Sequence, residues 1–276
     1  MGPGPTLTVV IVNWNTREYL LRGLAVLAGS GSSPRHPMIV VDNASTDGSV
    51  EAVRAFAPAV TLIANTTNVG YAAAANQGIA KADTPYLLVA NADLTCSPET
   101  ADYLADFLGR HPHAAVVGPR LEYPGSRLQL SWGPEPHLWS EFVQRWWWRR
   151  LERRPGQSWL QRAAARPRRV DWVLGACLGL RRAAWETIGG FDPDYFMYFE
   201  EVDLCTRLRR GGWEIWYDPT ARATHDAGAS VAHATEAMAA AYRRSQLRYY
   251  QRFHGPVAAA CLRGYLWMKR GWSACP

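Results

Sequence analysis

Across its first 120 residues the chain alternates short apolar runs with stretches of helical periodicity, and nothing else in it constrains the fold as much. Strands are expected at Leu7–Val12, Met38–Asp42, Val60–Ala64, Tyr86–Ala90 and Ala115–Gly118. Helices are expected near Glu18–Leu27, Gly48–Phe56, Ala72–Lys81 and Pro98–Arg110. The last of these has a defined start, with Ser97 as N-cap, Pro98 at the first helical position and Glu99 in the first turn. Strands alternating with helices build βαβ units, so the chain reads as α/β, a mainly parallel sheet covered by helices on both faces. Such sheets bind ligands at the carboxyl ends of their strands. Asp42-Asn43 and Asn91-Ala92-Asp93 sit directly after strands and are the first places to look for chemistry.

With 276 residues, 48% of them hydrophobic and 20% charged, the chain can form one large domain or a domain with an appendage. Its five cysteines (Cys96, Cys177, Cys205, Cys261, Cys275) are odd in number and lack a Cys-x-x-Cys. That disfavours a disulfide scaffold or zinc ribbon and fits a reducing cytoplasm. The first apolar run has no basic region before it and reads as a strand, not a signal peptide. No run reaches the roughly 18 apolar residues of a membrane span. The expectation is a cytoplasmic protein, soluble or peripheral at the inner face of the cell membrane, with no nucleic-acid partner.

The charge of +6 is concentrated. Residues 132–170 hold nine Arg and three Glu, which equals the excess of the whole chain. Within this segment Trp139, Phe142, Val143, Trp146, Trp147 and Leu151 fall at helical spacing, with Arg145, Arg149, Glu152 and Arg153 largely off that stripe. The stripe reads either as a helix packed on the main domain or as an interfacial helix docking on an anionic bilayer. Residues 242–270 again mix basic side chains with Tyr249, Tyr250, Phe253, Tyr265 and Trp267, and can widen such a surface.

Residues 171–216 hold the densest chemistry. Glu200, Glu201 and Asp203 open a helix whose Leu204 and Leu208 form an apolar face at i, i+4. Clustered, buried carboxylates raise one another's pKa, which makes one of them a general base near neutral pH. Earlier, Asn91 and Asp93 are spaced i, i+2 and put two oxygens on one face of a strand end, a donor pair suited to Mg²⁺ or Mn²⁺. Asp42 can accept hydrogen bonds from a base or ribose. The Gly-x-Gly-x-x-Gly of dinucleotide folds is absent, because the first strand leads into Asn13-Trp14-Asn15-Thr16. Asn68-Val69-Gly70-Tyr71 precedes a helix whose first turn, Ala72 to Ala75, leaves room for a ligand within reach of Asn76. His225 follows a strand and can serve as a metal ligand or diphosphate donor.

Taken in order, VVIVNWN (9–15), VDNASTDGS (41–49), NVGYAAAANQG (68–78), NAD (91–93), GACLGLRR (175–182), GGFDPDYFMYFEEVDLCTRLRRGGW (189–213) and HDAGAS (225–230) resemble the family 2 glycosyltransferases of the GT-A fold, in particular the bacterial rhamnosyltransferase-like members. The resemblance implies a Rossmann-like GT-A catalytic domain over residues 1–230. Its nucleotide-binding half would be 1–120 and its acceptor and catalytic half 121–230, with the basic insertion at 132–170. A helical segment, 231–276, would follow, facing a membrane or partner.

The implied reaction is an inverting transfer of a sugar, rhamnose favoured, from a dTDP-, UDP- or GDP-linked donor to a hydroxyl of a glycan or polyprenyl-linked acceptor. A divalent cation, Mg²⁺ or Mn²⁺, would be held by Asp93 with Asn91 and His225; Asn91 stands where the family often has Asp. The donor would meet Asn13, Asn15, Asp42, Asn43, Asn68, Gly70 and Asn76, and the acceptor Trp172, Gly175 and Ala176. The family's Glu-Asp pair maps onto Glu200-Glu201, which makes Glu201 the implied base, with Glu200 or Asp203 able to share the role. The alternatives are a nucleotidyltransferase acting on sugar phosphates and a non-catalytic nucleotide-sugar-binding relative.

Overall fold

The computed structural model describes residues 7–29, 34–56, 60–138, 158–227 and 235–269. The aromatic stripe from Trp139 to Leu151 lies outside these residues, as does the Gly228–Ser230 end of the last motif.

The amino-terminal half follows the expected alternation: β1 (Leu7–Asn13), α1 (Arg17–Ala28), β2 (Met38–Asp42), α2 (Ser49–Phe56), β3 (Thr61–Ala64), α3 (Tyr71–Lys81) and β4 (Tyr86–Asn91). These four strands pair in parallel in the order β3-β2-β1-β4. Period 2 divides β1 between the two faces of the sheet. Val9 and Ile11 pack with Leu20 and Leu24 of α1, while Val10 and Val12 pack with Ala72, Ala75 and Ile79 of α3. The alanines of α3 therefore do not leave room for a ligand, contrary to the sequence reading. Ala72, Ala74 and Ala75 are wholly buried against the sheet, and a Cβ on Gly78 would lie 2.4 Å from Val10 Cγ1. Small residues here let helix and sheet approach closely.

Beyond β4 the sheet changes character. A two-residue β5 (Leu94–Thr95) precedes α4 (Pro98–Arg110), whose Ser97 cap accepts from the Thr100 amide. Then follow β6 (Ala114–Tyr123), β7 (Arg127–Gln129), β8 (Trp132–Gly133), α5 (Ser158–Ala163), β9 (Arg168–Arg169), β10 (Trp172–Val173), β11 (Cys177–Arg181), α6 (Arg182–Thr187), α7 (Glu200–Arg210) and β12 (Glu214–His225). β11 inserts antiparallel between β4 and β6, and β6 pairs in parallel with β12. The order β4-β11-β6-β12-β5 completes the sheet.

Asp93, expected at the end of a strand, is not in one. β4 stops at Asn91, and Ala92 and Asp93 turn the chain toward β12, where Leu94 pairs with His225. The Asp93 carbonyl accepts the Asp226 amide at 3.1 Å and pins that turn.

Two further helices, α8 (Thr235–Phe253) and α9 (Gly255–Lys269), close the molecule. They form a third apolar cluster in which Tyr249 and Tyr250 of α8 and Leu262 of α9 meet Tyr195, Phe199 and Val202. Tyr249 and Tyr250, read from sequence as part of an outward surface, are core. Leu204 and Leu208 of α7 are wholly buried on its other side. Each contributes about 1.5–3 kcal/mol to holding that helix in place.

Candidate active site

Parallel register brings the strand ends together. Asn13 of β1 is level with Asp42 of β2, and Val12 is level with Asn91 of β4. Above them lies a cleft of about 210 Å³. Val12, Thr16, Asn43, Asn68, Gly70 and Tyr71 line one part of it, and Asn91, Ala92 and Asp93 another. Trp14 and Phe196 stand at it with 38% and 46% of their surface exposed. Ala237, Met238, Ala241 and Arg244 of α8 complete the wall.

Of the donor residues expected from sequence, Asn43, Asn68, Gly70, Asn91 and Asp93 line the cleft, and Asn13, Asn15, Asp42 and Asn76 do not. Each of the absent four is engaged by the protein itself. Asn13 donates to Asp42 Oδ2 at 2.7 Å and accepts from Thr16. Asp42, 1% exposed, takes the Ser45 amide on its other oxygen. The left-handed Asn15 accepts from the Thr46 amide at 2.7 Å. Asn76 bonds both backbone groups of Phe191, which fastens the Gly189–Phe191 turn to α3. These side chains shape the cleft from behind it. Asn43 does both jobs, donating to Asn68 Oδ1 at 2.8 Å while its own oxygen accepts from the Val69 amide. Gly70 has φ +85°, and a Cβ there would lie 2.6 Å from the Phe196 carbonyl, so only glycine fits.

Asp93, Asn91 and His225 come together as the sequence grouped them. His225 Nε2 is 3.2 Å from Asp93 Oδ1 and 3.5 Å from the Asn91 amide nitrogen. Its Nδ1 donates to Gln129 Oε1, which can only accept, at 3.0 Å. That bond turns Nε2 toward the carboxylate. The donor set, one carboxylate and one oriented imidazole beside an amide, fits a divalent ion. Among the described residues no cluster of three or more His, Cys, Asp or Glu side chains could hold a metal. An ion here would therefore complete its shell with water and phosphate oxygens, as Mg²⁺ and Mn²⁺ commonly do.

The three acids of α7 part company. Asp203 is wholly buried, with one oxygen 2.6 Å from Arg207 Nε and the other 3.0 Å from Arg252. It was read as able to share the base role, but both its oxygens are bound to guanidinium groups, Arg207 within α7 and Arg252, which ties α7 to α8. Glu200 and Glu201 are also buried, yet Oε2 of each has no hydrogen-bond partner among the described residues. Burial and the charge of Glu201 push the Glu200 carboxyl well above the usual range, and burial raises that of Glu201. The Gly175 amide lies 3.5 Å from Glu201 Oε1, and the Gly175 carbonyl accepts from Tyr71 OH at 3.1 Å. Burial, Glu200, Glu201 and Asp93 all raise the Tyr71 phenol, so both acid sites act on one ring in the cleft.

Of the expected acceptor-side residues, Gly175 thus meets Glu201, and the Ala176 carbonyl accepts the Asn91 amide at 3.2 Å. Trp172 does not line the cleft; its indole donates to Pro134 O and lies over Gly133.

The approach to Glu200 is strained. Tyr198 and Phe199 both have φ +67°, a conformation costing bulky residues of order 1–3 kcal/mol each. α8 holds them there. Ser245 Oγ donates to the Met197 carbonyl at 2.8 Å, and Tyr242 packs edge-on to both rings. The contribution of α8 was not read from sequence, although Arg244, Arg248 and Arg252 already recur there at i, i+4, i+8.

A family model for glycosyl transferase family 2 matches residues 8–169. The N-acetylglucosaminyl-diphospho-decaprenol L-rhamnosyltransferase of Mycobacterium tuberculosis is 32% identical over 96% of this chain and 89% of its own. The rhamnosyltransferase WbbL of Escherichia coli is 41% identical over a shorter stretch, 20% of this chain and 21% of that protein. Among solved structures, the mannosyltransferase PcManGT of Pyrobaculum calidifontis, in complex with GDP-Man and Mn2+, superposes with a TM-score of 0.57. It is 20% identical and covers 91% of this chain, which spans 62% of that protein's length; the likeness is one of fold. With the family motifs in order along an α/β sheet of this topology, the chain belongs to the family 2 glycosyltransferases of the GT-A fold.

Proposed function

We propose that this glycosyltransferase moves a sugar, rhamnose foremost, from a nucleoside-diphosphate donor to a hydroxyl of a lipid-linked acceptor, with inversion. The observation that supports this most is the buried Glu200–Glu201 pair sharing one cleft ring, Tyr71, with Asp93. In this reading Asn43, Asn68 and Gly70 shape the seat of the donor, and Trp14 and Phe196 offer flat apolar faces beside it. Glu201 takes the proton of the acceptor hydroxyl, and burial, which raises its carboxyl above the ordinary value, makes it a stronger base for that task. Burial and the charge of Glu201 favour the neutral form of Glu200, which limits the buried charge of the site. Asp93 and His225 would hold a divalent ion, which when bound absorbs charge developing on the leaving diphosphate. The sugar and lipid acceptor are proposed from the M. tuberculosis relative's name.

The test is a transfer assay with dTDP-rhamnose, UDP- and GDP-sugars against a polyprenyl-diphospho-sugar acceptor, read by mass spectrometry. A glycosylated lipid with release of nucleoside diphosphate is expected, greatest with dTDP-rhamnose. Release of monophosphate, or no product from any donor, would overturn the reading.

We also propose that the protein works at an anionic membrane surface. Among the described residues no helix is long and apolar enough to cross a membrane. However, the outer face of α9 presents Val257, Trp267 and Met268 at 75%, 58% and 68% exposure, with Ala260, Cys261 and Gly264 between them. Arg263 borders that face, and Trp and Arg suit the headgroup region. The protein should sediment with vesicles containing anionic lipid, less so as salt rises, and less when Trp267 and Met268 are both replaced by Ala. Retention in the supernatant at low salt would exclude membrane docking.

A further inference from the structure

On α8, Arg244, Arg248 and Arg252 follow one another at i, i+4 and i+8, one turn apart on one side of the helix. Two of them are spent on carboxylates. Arg248 pairs with Asp192 and Asp194, and Arg252 with Asp192 and Asp203. Arg244 has no ion pair or hydrogen bond among the described residues and is exposed. It nevertheless lines the cleft, one turn along from Ala241.

The charge balance of the cleft makes this position significant. Among its lining residues only Asp93 and Arg244 carry a formal charge at neutral pH. Asn91, which lines the same part of the cleft as Asp93, contributes an amide and no charge. A diphosphate entering here brings at least two negative charges to an anionic side chain. A divalent ion beside Asp93 would offset part of them, and the remaining positive charge among the described lining residues is the Arg244 guanidinium, whose donors have no partner among those residues. Guanidinium forks match phosphate oxygens in geometry and form charge-assisted bonds.

We propose that Arg244 is a binding residue for the diphosphate of the donor, supplied by the C-terminal helix, and that it sustains nucleoside-diphosphate affinity when the divalent ion is removed. The anchoring of α8 is consistent with this role. The Ser245 bond to the Met197 carbonyl and the Arg248 and Arg252 ion pairs fix the helix on both sides of the catalytic turn, so Arg244 is presented on a rigid element. The proposal rests on the donor reading of the cleft given above.

Calorimetry on the full chain with dTDP, UDP and GDP, in Mn²⁺ and in EDTA, tests it without requiring turnover. Wild type should bind at least one nucleoside diphosphate in both conditions, more weakly in EDTA. Arg244→Ala should weaken that binding by about tenfold or more in each, the size of a charge-assisted hydrogen bond. The loss should be smaller for the matching nucleoside monophosphate, and Arg244→Lys should recover part of it. Because Arg244 is exposed and unpaired among the described residues, the melting temperature of each variant should match wild type, and this separates a ligand contact from a structural one. If Arg244→Ala binds within twofold of wild type at low salt, or loses mono- and diphosphate affinity equally, the inference fails while the donor site stands. If wild type binds no nucleoside diphosphate at all, the donor reading and this inference fail together.

Discussion

Glu201→Gln is expected to cut turnover by 10²–10⁴-fold, the range typical of a lost general base, while nucleoside-diphosphate affinity stays near wild type. The amide keeps the length and shape of the side chain and its place beside the Gly175 amide, but it cannot accept a proton. The wild-type pH profile should carry the same signature. A base works when deprotonated, and burial raises the Glu201 carboxyl above its ordinary value of 4.5. kcat/KM should therefore climb with pH to a midpoint above the usual carboxylate range, and the limb should vanish in the Gln variant. A variant keeping more than about a hundredth of wild-type turnover would refute the assignment. Loss in Glu200→Gln with Glu201→Gln active would transfer the role to Glu200. Asp203→Asn should act differently, by loosening the Arg207 and Arg252 ion pairs and so lowering stability.

The second large effect is expected at Asp93. Its carboxylate is the only formal negative charge lining the cleft among the described residues, and His225 faces it at 3.2 Å with Nδ1 held by Gln129. Asp93→Ala should abolish the gain in nucleotide affinity on adding Mn²⁺. The drop should be at least 10–100-fold, since even residues that merely orient metal ligands cost that much. Gln129→Leu frees the ring of His225 and should show a smaller loss of the same kind. Equal affinity of the wild type in EDTA and in Mn²⁺ would remove the metal from this site. Titration calorimetry distinguishes these outcomes directly.

The parallel half of the sheet was legible because its signals are local. Each of β1, β2 and β4 is a short apolar run, and α4 announces itself with Ser97 and Pro98. Asp93 and His225 could be grouped as chemistry, but their contact depends on β5 crossing to β12, a two-residue pairing that leaves no periodic trace. Asn13, Asp42 and Asn76 illustrate the opposite failure. Polar residues at strand ends and on a helix beside the cleft read as ligand contacts, yet buried polar groups must first satisfy one another, and these do. The wall contributed by Ala237, Met238 and Ala241 was invisible because small and apolar residues at helical spacing look like any packing face. Only the fold shows that part of that face borders a cleft.

The bend at Tyr198 and Phe199 has a consequence for the order in which the enzyme comes into being. Cleft residues from Val12 to Tyr71 are made first and lie on or beside strands β1 to β4, which pair among themselves. The turn that delivers Glu200 and Glu201 is held by Ser245, Tyr242 and Tyr249, which a ribosome adds more than forty residues later. Synthesis runs from the amino terminus, so these parts of the chain exist before α8 does. The cleft therefore lacks the wall of Ala237, Met238, Ala241 and Arg244, and the hold on the Glu200 turn, until α8 is made. A polypeptide that ends before α8 is thus expected to have neither a complete cleft nor a fixed Glu200–Glu201 turn.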